Sequence, residues 1–508
     1  MKITHPYEKT TIIYGPPGTG KTTKLLSIIE SYLSKGIHPN KIGFFTFTRK
    51  AANEAKERAC KKFNLTSNDL LYFRTLHSMC YFMLNVGKNE VVTREHMVEI
   101  GNSLGLEMGS SNSDPVDDEL FGMKEGDRYF FIENLSRVTK RNLKSIWENQ
   151  ADEELQWMKL EQLSRTYSQF KHSNMLIDYT DMLSRYINEG FVPTFDVVLI
   201  DEAQDLSLLQ WEMVQKIIDR ADQVYIAGDD DQAIYKWAGA DVDTFLGLEG
   251  RTLVLDKSYR IPSSVHKVAT NIVRRIEKRK EKIFQPREFE GNVNYVFDLD
   301  DIDMSSGEWL LLARNGYLLK KFQDHCMTMG YSFKSPYYSP LNFKVLKAVK
   351  SWEQIRRGNS IRKSELDNIC DKYWYPKSNP LGMKPLTGFK DSDVMSPGFI
   401  KEKYPHVDFS QIWHKSINMR AELREYYIAA LRRGEKLSSE PRITINTIHS
   451  VKGGECDNVV ILSDISPRTY DEMEKDYDNE CRVFYVGVTR AKQNLYIVEP
   501  YQDFRFEL

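Results

Sequence analysis

The stretch Thr10-Thr11-Ile12-Ile13-Tyr14-Gly15-Pro16-Pro17-Gly18-Thr19-Gly20-Lys21-Thr22 decides how this chain is read. Its first five residues are β-branched or aromatic, the texture of a buried strand. The next eight match G-x-x-x-x-G-K-[ST], and a helical stretch over 22–34 follows at once. Strand, glycine-rich turn and helix, in that order, let backbone N–H groups converge on a phosphate. Lys21 can then reach the β- and γ-phosphates, and the Thr22 hydroxyl can ligate Mg²⁺. A plain Gly-rich turn is disfavoured by pattern and context together. Gly15, Pro16, Pro17, Gly18, Thr19, Gly20, Lys21, Thr22 and Thr23 are therefore expected to cradle a nucleotide.

Further short apolar runs lie at 11–14, 42–45, 197–200, 224–227, 253–255, 309–312, 443–445, 459–462 and 495–498, with helical stretches such as 22–34 and 50–62 between them. Continuous rather than alternating runs mark parallel strands buried on both faces, so an α/β fold is expected. The runs form two groups, one ending near Leu255 and one beginning near Asn292. Each is interrupted by a polar segment of helical texture. Two α/β domains are expected, at 1–84 with 185–257 and at 258–345 with 438–508. The insertions are 85–184 and a smaller 346–437 with a Pro/Gly-containing, loop-like middle.

The 508 residues suffice for about three or four domains, and 41% hydrophobic content excludes disorder, collagen and coiled coil. No apolar run approaches the roughly 20 residues that span a bilayer. The start, MKITHPYEKT, has neither the apolar core of a secretion signal nor an Arg-rich amphipathic helix, which points to an intracellular protein. Six cysteines without a CxxC pair fit free thiols in a reducing compartment. The charge balance, 70 Lys+Arg against 72 Asp+Glu, taken alone weighs against a nucleic-acid partner.

A second site follows the buried run 195–200, where the chain turns into Asp201-Glu202-Ala203-Gln204-Asp205. At the carboxyl end of such a strand Asp201 can hold Mg²⁺ and Glu202 can orient or deprotonate the attacking water, whereas a solvated acidic turn would not follow six mostly apolar residues. Beyond these lie GDDDQAIYKWAGA (228–240), FTFTRKAANEAKER (45–58), TLHSMC (75–80), LDKSYR (255–260), INTIHSVKGGE (445–455) and YVGVTRAK (485–492). In this order, and reaching from Gly15 to Lys492, the motifs resemble the UvrD/Rep-like branch of superfamily 1 DNA helicases.

The resemblance implies two RecA-like P-loop domains, each carrying a mainly helical insertion, with ATP between them. It implies that Arg260 and Arg490 reach the γ-phosphate, that Gln232 senses it, that Tyr259 packs on adenine and that Glu455 meets the ribose. An arginine finger of this kind is worth roughly 10³–10⁵ in rate. Phe47, Tyr235 and Trp237 would stack on bases, while Thr75, His77, Thr447 and His449 would line the phosphate path. Asp178-Tyr179-Thr180-Asp181-Met182-Leu183 matches the family's re-entry into its first core domain and is assigned architecture. The basic run 274–282 reads as a solvated helix face, with duplex or strand contact as the alternative.

Two departures stand out. The family's glutamine upstream of the P-loop has no counterpart in residues 1–14, which leaves adenine reading open. Gly454 and Cys456 replace the family's usual leucine and aromatic. The implied activity is an ATP- and Mg²⁺-dependent helicase moving 3′ to 5′ on single-stranded DNA and separating duplex. A translocase that strips proteins from DNA, or an RNA-directed helicase, are the alternatives. Expected partners are single-stranded DNA, single-strand/duplex junctions, and replication or repair proteins. A monomer or weakly self-associating protein is expected, with no membrane contact and a cytoplasmic, nucleoid-associated place, host- or virus-encoded. The chain ends shortly after Lys492, so no fused nuclease is expected. Aromatic stacking in a narrow, locally positive channel reconciles a nucleic-acid track with the near-neutral charge.

Overall fold

A computed structural model describes residues 1–46, 49–109, 123–149, 154–336, 338–372, 382–437 and 439–508. The strands, in chain order, are β1 (Thr10–Tyr14), β2 (Ile42–Thr46), β3 (Phe73–Thr75), β4 (Phe195–Asp201), β5 (Ala221–Gly228), β6 (Arg251–Val254), β7 (Asn292–Val296), β8 (Trp309–Ala313), β9 (Phe333–Lys334), β10 (Ile361–Arg362), β11 (Val394–Met395), β12 (Ile443–Thr447), β13 (Cys456–Leu462) and β14 (Ala491–Val498). They build two six-stranded sheets, ordered β3-β2-β4-β5-β1-β6 and β7-β14-β13-β8-β12-β9. Every pairing within both sheets is parallel. β10 and β11 form a small antiparallel ribbon.

Burial explains the apolar runs. Val197, Val198, Leu199 and Ile200 of β4 are buried on both faces, as are Val459, Val460, Ile461 and Leu462 of β13. Each apolar run of the sequence falls on a strand, whereas β3, β7 and β9 have no such run to mark them. All three are edge strands, and β7 (NVNYV) has only exposed or half-buried residues, so it carries no continuous apolar run. Among the described residues no helix is long and apolar enough to cross a membrane.

The two helical insertions differ in how they are held. The first packs around its own core of Tyr129, Phe130, Leu160, Leu163 and Tyr167. In the second, Trp352, Leu366, Ile369 and Trp413 belong to the cluster that also covers one face of the second sheet through Leu311, Ile445 and Val460. Part of its loop-like middle, 373–381, falls outside the described residues; 382–389 carries no helix or strand.

Asp178 ties the helices of the first insertion to one another. It caps the helix Tyr179–Glu189, accepting from the Asp181 amide at 2.7 Å. It also pairs with Arg137 and Lys171, each at 2.7 Å, and accepts the Tyr167 hydroxyl at 2.8 Å. Burial alone would raise the Asp178 carboxyl, but the Arg137 and Lys171 charges hold it well below the usual aspartate range. A depressed folded-state pKa contributes stability that is complete above the ordinary value of about 3.9 and is lost as pH falls through the folded value. Wild type should therefore lose helicity on acidification in a step that Asp178→Asn lacks. The variant should be destabilised at neutral pH by about 1–3 kcal/mol, since Arg137 and Lys171 lose one carboxylate but keep Asp181. Circular dichroism against pH and urea checks this; superimposable acid transitions would remove Asp178 from that role.

Candidate nucleotide cleft and nucleic-acid groove

The P-loop leaves β1 and enters the helix Lys21–Ser34. Gly18 (φ +72°) and Gly20 (φ +80°) take left-handed conformations, and a Cβ on Gly18 would lie 2.4 Å from the Arg260 Cβ. Glycine at 18 thus lets the segment 258–260 approach, where Ser258 Oγ donates to the Pro17 carbonyl and the Tyr259 amide to the Gly18 carbonyl, each at 2.8 Å. The side chain of Tyr259 is 70% exposed at the mouth. Thr19 Oγ1 donates to the Pro16 carbonyl at 2.7 Å, which closes the loop on itself. Thr23 sits in the first turn of the following helix.

Lys21 Nζ donates to the Gly15 carbonyl at 2.9 Å and stands 3.8 Å from Glu202. Thr22 Oγ1 donates to Asp201 Oδ2 at 3.1 Å. A hydroxyl and a buried carboxylate side by side are hard oxygen donors, which suits Mg²⁺. Burial, followed by the Glu202 charge, pushes Asp201 up to about 7. Burial would also raise Glu202, but Lys21 and then Lys452 outweigh it and bring that carboxyl down to about 2. Glu202 is therefore ionised at neutral pH, and a cation beside Asp201 would displace the proton there. Glu202 also has φ +53°, a left-handed conformation that strains a non-glycine residue and turns the chain sharply out of β4.

The second domain closes the cleft. Arg260 Nε pairs with Glu455 at 2.5 Å. Arg490 is buried, donates to the Val486 and Gly454 carbonyls, and its Nη2 donates to Gln232 Oε1 at 3.2 Å. Burial and the neighbouring Arg260 charge push Arg490 down to about 9. The structure thus gathers Lys21, Thr22, Asp201, Glu202, Gln232, Arg260, Glu455 and Arg490 around one cleft.

Three further residues join this site that the motifs alone do not single out. Gln204 donates to Glu202 at 2.7 Å and accepts from the Asp229 amide at 3.0 Å, joining the ends of β4 and β5. Lys452, from the second domain, holds both oxygens of Asp205 at 2.6 Å and donates to the Gln232 carbonyl. Lys452, Gln204 and Asp205 all lie inside motifs quoted from the sequence, and only their buried surroundings reveal what they do.

The nucleic-acid candidates divide. Thr75, His77, Tyr235 and Trp237 line one groove of 1230 Å³ between the first sheet's loops and the first insertion. Trp237 stacks on Phe131 of that insertion, with centroids 5.9 Å apart and planes 22° apart, and meets His449 edge-on. Its Nε1 is buried. Arg49, Lys56, Arg74 and Lys88 also line the groove, while Arg94 and Arg137 there are taken by Asp127 and Asp178. The enclosure of His77 and the Arg49 charge push its imidazole down to about 4, so the ring is neutral. Thr75 is buried and caps the helix Leu76–Met83. Thr447 and His449 are fully buried and do not line the groove; His449 touches the groove residues Trp237, edge-on, and Tyr235, whose hydroxyl donates to its carbonyl at 3.3 Å. Phe47 lies outside the described residues.

The basic run 274–282 overturns its sequence reading. It is not a helix face, because the helix ends at Val273; Lys282 is buried and Arg279 half-buried against first-domain aspartates, while Arg274, Glu277, Lys278, Lys280 and Glu281 stay exposed. Lys282 has a 1% exposed side chain. Arg279 and Lys282 are instead neutralised by aspartates some fifty residues away in sequence.

Two parallel-sheet α/β domains meeting over a P-loop, with Arg260 and the buried Arg490 supplied by the second, define a P-loop protein with paired RecA-like domains. The UvrD/REP helicase N-terminal domain model matches residues 1–252 and the UvrD-like helicase C-terminal domain model matches 407–500. This chain belongs to the UvrD/Rep-like family of superfamily 1 helicases. It is 26% identical over 335 residues to the ATP-dependent DNA helicase PcrA of Staphylococcus aureus, covering 62% of this chain and 44% of that protein. It is 25% identical over 289 residues to PcrA of Staphylococcus epidermidis, covering 53% and 39%. The chain thus spans less than half the length of these relatives. Among solved structures, an Arterivirus nonstructural protein 10 (helicase) with DNA aligns with a TM-score of 0.35 at 11% identity, over 97% of this chain and 62% of that one.

Proposed function

We propose that this protein is an ATP- and Mg²⁺-dependent motor that moves 3′ to 5′ along single-stranded DNA and separates duplex at junctions. It works inside the cell on nucleoid DNA, as a monomer or weak self-associate, beside replication or repair proteins. The motor domains are 1–84 with 185–257 and 258–345 with 438–508, and the insertions are 85–184 and 346–437. The observation that carries this reading is the Gln232–Arg490 contact at 3.2 Å, which joins the two domains beside Lys21 and Glu202.

Lys21 neutralises the β- and γ-phosphates, and ionised Glu202 orients the attacking water and accepts its proton. Thr22 and Asp201 would hold Mg²⁺, which when bound would neutralise charge on the phosphate oxygens. Arg260 and Arg490 stabilise charge as it spreads over the transferring phosphoryl group, so turnover requires the domains to be closed. Gln232 connects that event to Tyr235 and Trp237, a few residues on along the same loop, where bases stack. Tyr259 stacks on the nucleobase and Glu455 meets the ribose.

Phosphate release measured with and without single-stranded DNA and RNA tests this function. Strong stimulation by poly-dT and little by poly-U is expected; no stimulation by either would overturn it. Strand displacement on substrates with opposite tails tests direction, and unwinding only from a 5′ tail would overturn 3′-to-5′ movement. Trp237→Ala should weaken single-stranded DNA binding by about 1–3 kcal/mol, the worth of one stacked base, while nucleotide affinity holds. Equal loss of both would make Trp237 a packing residue for Phe131.

A second reading, a translocase that clears proteins with little unwinding, is favoured by the core shared between the second insertion and the second sheet. An insertion fused to its motor domain in this way has little freedom to reorient.

A further inference from the structure

The second domain sends residues 274–282 across to the first, where they end among three consecutive aspartates. Lys282 Nζ lies 3.1 Å from Asp229 and 3.0 Å from Asp231, and is also paired with Asp230. Arg279 grips both oxygens of Asp231, at 2.8 and 2.6 Å, and the Lys280 amide donates to Asp230 at 2.8 Å. Arg482, from the same domain, donates to the Asp230 main-chain carbonyl at 2.9 Å. Asp230 and Asp231 are thus each held by donors beyond Lys282.

Asp229 is placed differently. Its Oδ1 faces Lys282 and accepts from the Asp231 amide at 3.3 Å, and its Oδ2, the oxygen turned to the cleft, accepts from Gln232 Nε2 at 2.7 Å. A carboxylate can only accept, so the Gln232 amide must turn its NH₂ group toward Asp229 and its carbonyl away. That carbonyl meets Arg490 Nη2 at 3.2 Å. A chain of contacts therefore runs Lys282, Asp229, Gln232, Arg490, crossing between the domains at both ends.

We propose that Lys282 is a positioning residue for nucleotide hydrolysis, holding Asp229 so that Gln232 presents its carbonyl to Arg490 in the closed cleft. The inference rests on the cleft being a hydrolytic site, as proposed above. A buried carboxylate deprived of its cation is costly, and it turns to whatever donors remain. Without Lys282, Asp229 no longer fixes the Gln232 amide, and Arg490 loses an acceptor that keeps it aimed. The nucleotide's contacts with the P-loop are untouched. The defect therefore falls on turnover and not on binding.

The test is a mutant cycle in the full chain. Lys282→Met, close in shape and uncharged, should lower DNA-stimulated kcat about tenfold while leaving KM and the Kd for a fluorescent non-hydrolysable ATP analogue within about twofold, the pattern of an interaction made in the transition state. Lys282→Arg should restore most of the rate. In a Gln232→Ala background, Lys282→Met should cost nothing further, because it acts through Gln232. Losses that multiply in the double variant, or a Kd that rises with the fall in kcat, overturn the proposal. If thermal melting shows that Lys282→Met does not fold, Lys282→Met with Asp229→Asn removes cation and carboxylate together, and the same non-additivity with Gln232→Ala is expected. A wild type without DNA-stimulated hydrolysis overturns the functional reading and this inference with it. An active wild type with multiplicative losses overturns only the positioning role.

Discussion

Lys21→Ala is expected to abolish DNA-stimulated ATP hydrolysis, with a loss of at least about 10²-fold by analogy with removal of one preorganised electrostatic group. Lys21 has two partners in the structure, the Gly15 carbonyl and the Glu202 carboxylate. Its ammonium is also the largest of the charges that hold Glu202 ionised in a buried setting. Removing it withdraws the cation from the phosphates and raises the Glu202 pKa toward neutrality, so the water-orienting carboxylate is lost in the same step. Phosphate release at saturating nucleotide and single-stranded DNA measures this directly. Turnover like that of wild type would refute the P-loop assignment.

Glu202→Gln should give a different defect. The general base of such a reaction is worth about 10²–10⁴ in rate, and that loss should fall on kcat. Binding should survive, because the shape is kept and the glutamine carbonyl can still accept from Gln204, now 2.7 Å from Glu202. After burial, the Glu202 charge is what raises Asp201, so neutralising residue 202 lets Asp201 ionise at lower pH. Mg²⁺-nucleotide affinity should therefore be unchanged or higher, and its fall on acidification should begin at lower pH than in wild type. Equilibrium binding of a fluorescent nucleotide across a range of about pH 5–8, which brackets the Asp201 titration, checks both halves beside turnover. Retained turnover would remove Glu202 from the chemistry, and lost binding would make it structural.

These two variants isolate residues whose placement was legible from local sequence. A phosphate loop is a strand, a tight turn and a helix within a few residues of one another, and the carboxylate pair follows directly from a buried strand. Three of the four edge strands escaped the same reading. β3 has three residues, β9 two, and β7 buries none of its residues, so none presents the unbroken apolar run that marks β4 or β13. The burial of Thr447 and His449 was hidden too, because hydroxyls and imidazoles are sorted into core or groove by packing and not by spacing.

The sequence by itself determined the α/β class, the two groups of parallel strands, the nucleotide loop and the acidic turn after β4. Each depends on apolar periodicity or on groups that are neighbours in the chain. Only the tertiary structure decided which domain's cation meets which domain's acid: Lys452 on Asp205, Arg490 on Gln232, and Lys282 among Asp229, Asp230 and Asp231. Local sequence describes Lys282 as one of several lysines in a basic run. Docking of the second domain buries that one, and the cost of leaving an ion unpaired away from water pins it against acids some fifty residues earlier in the chain.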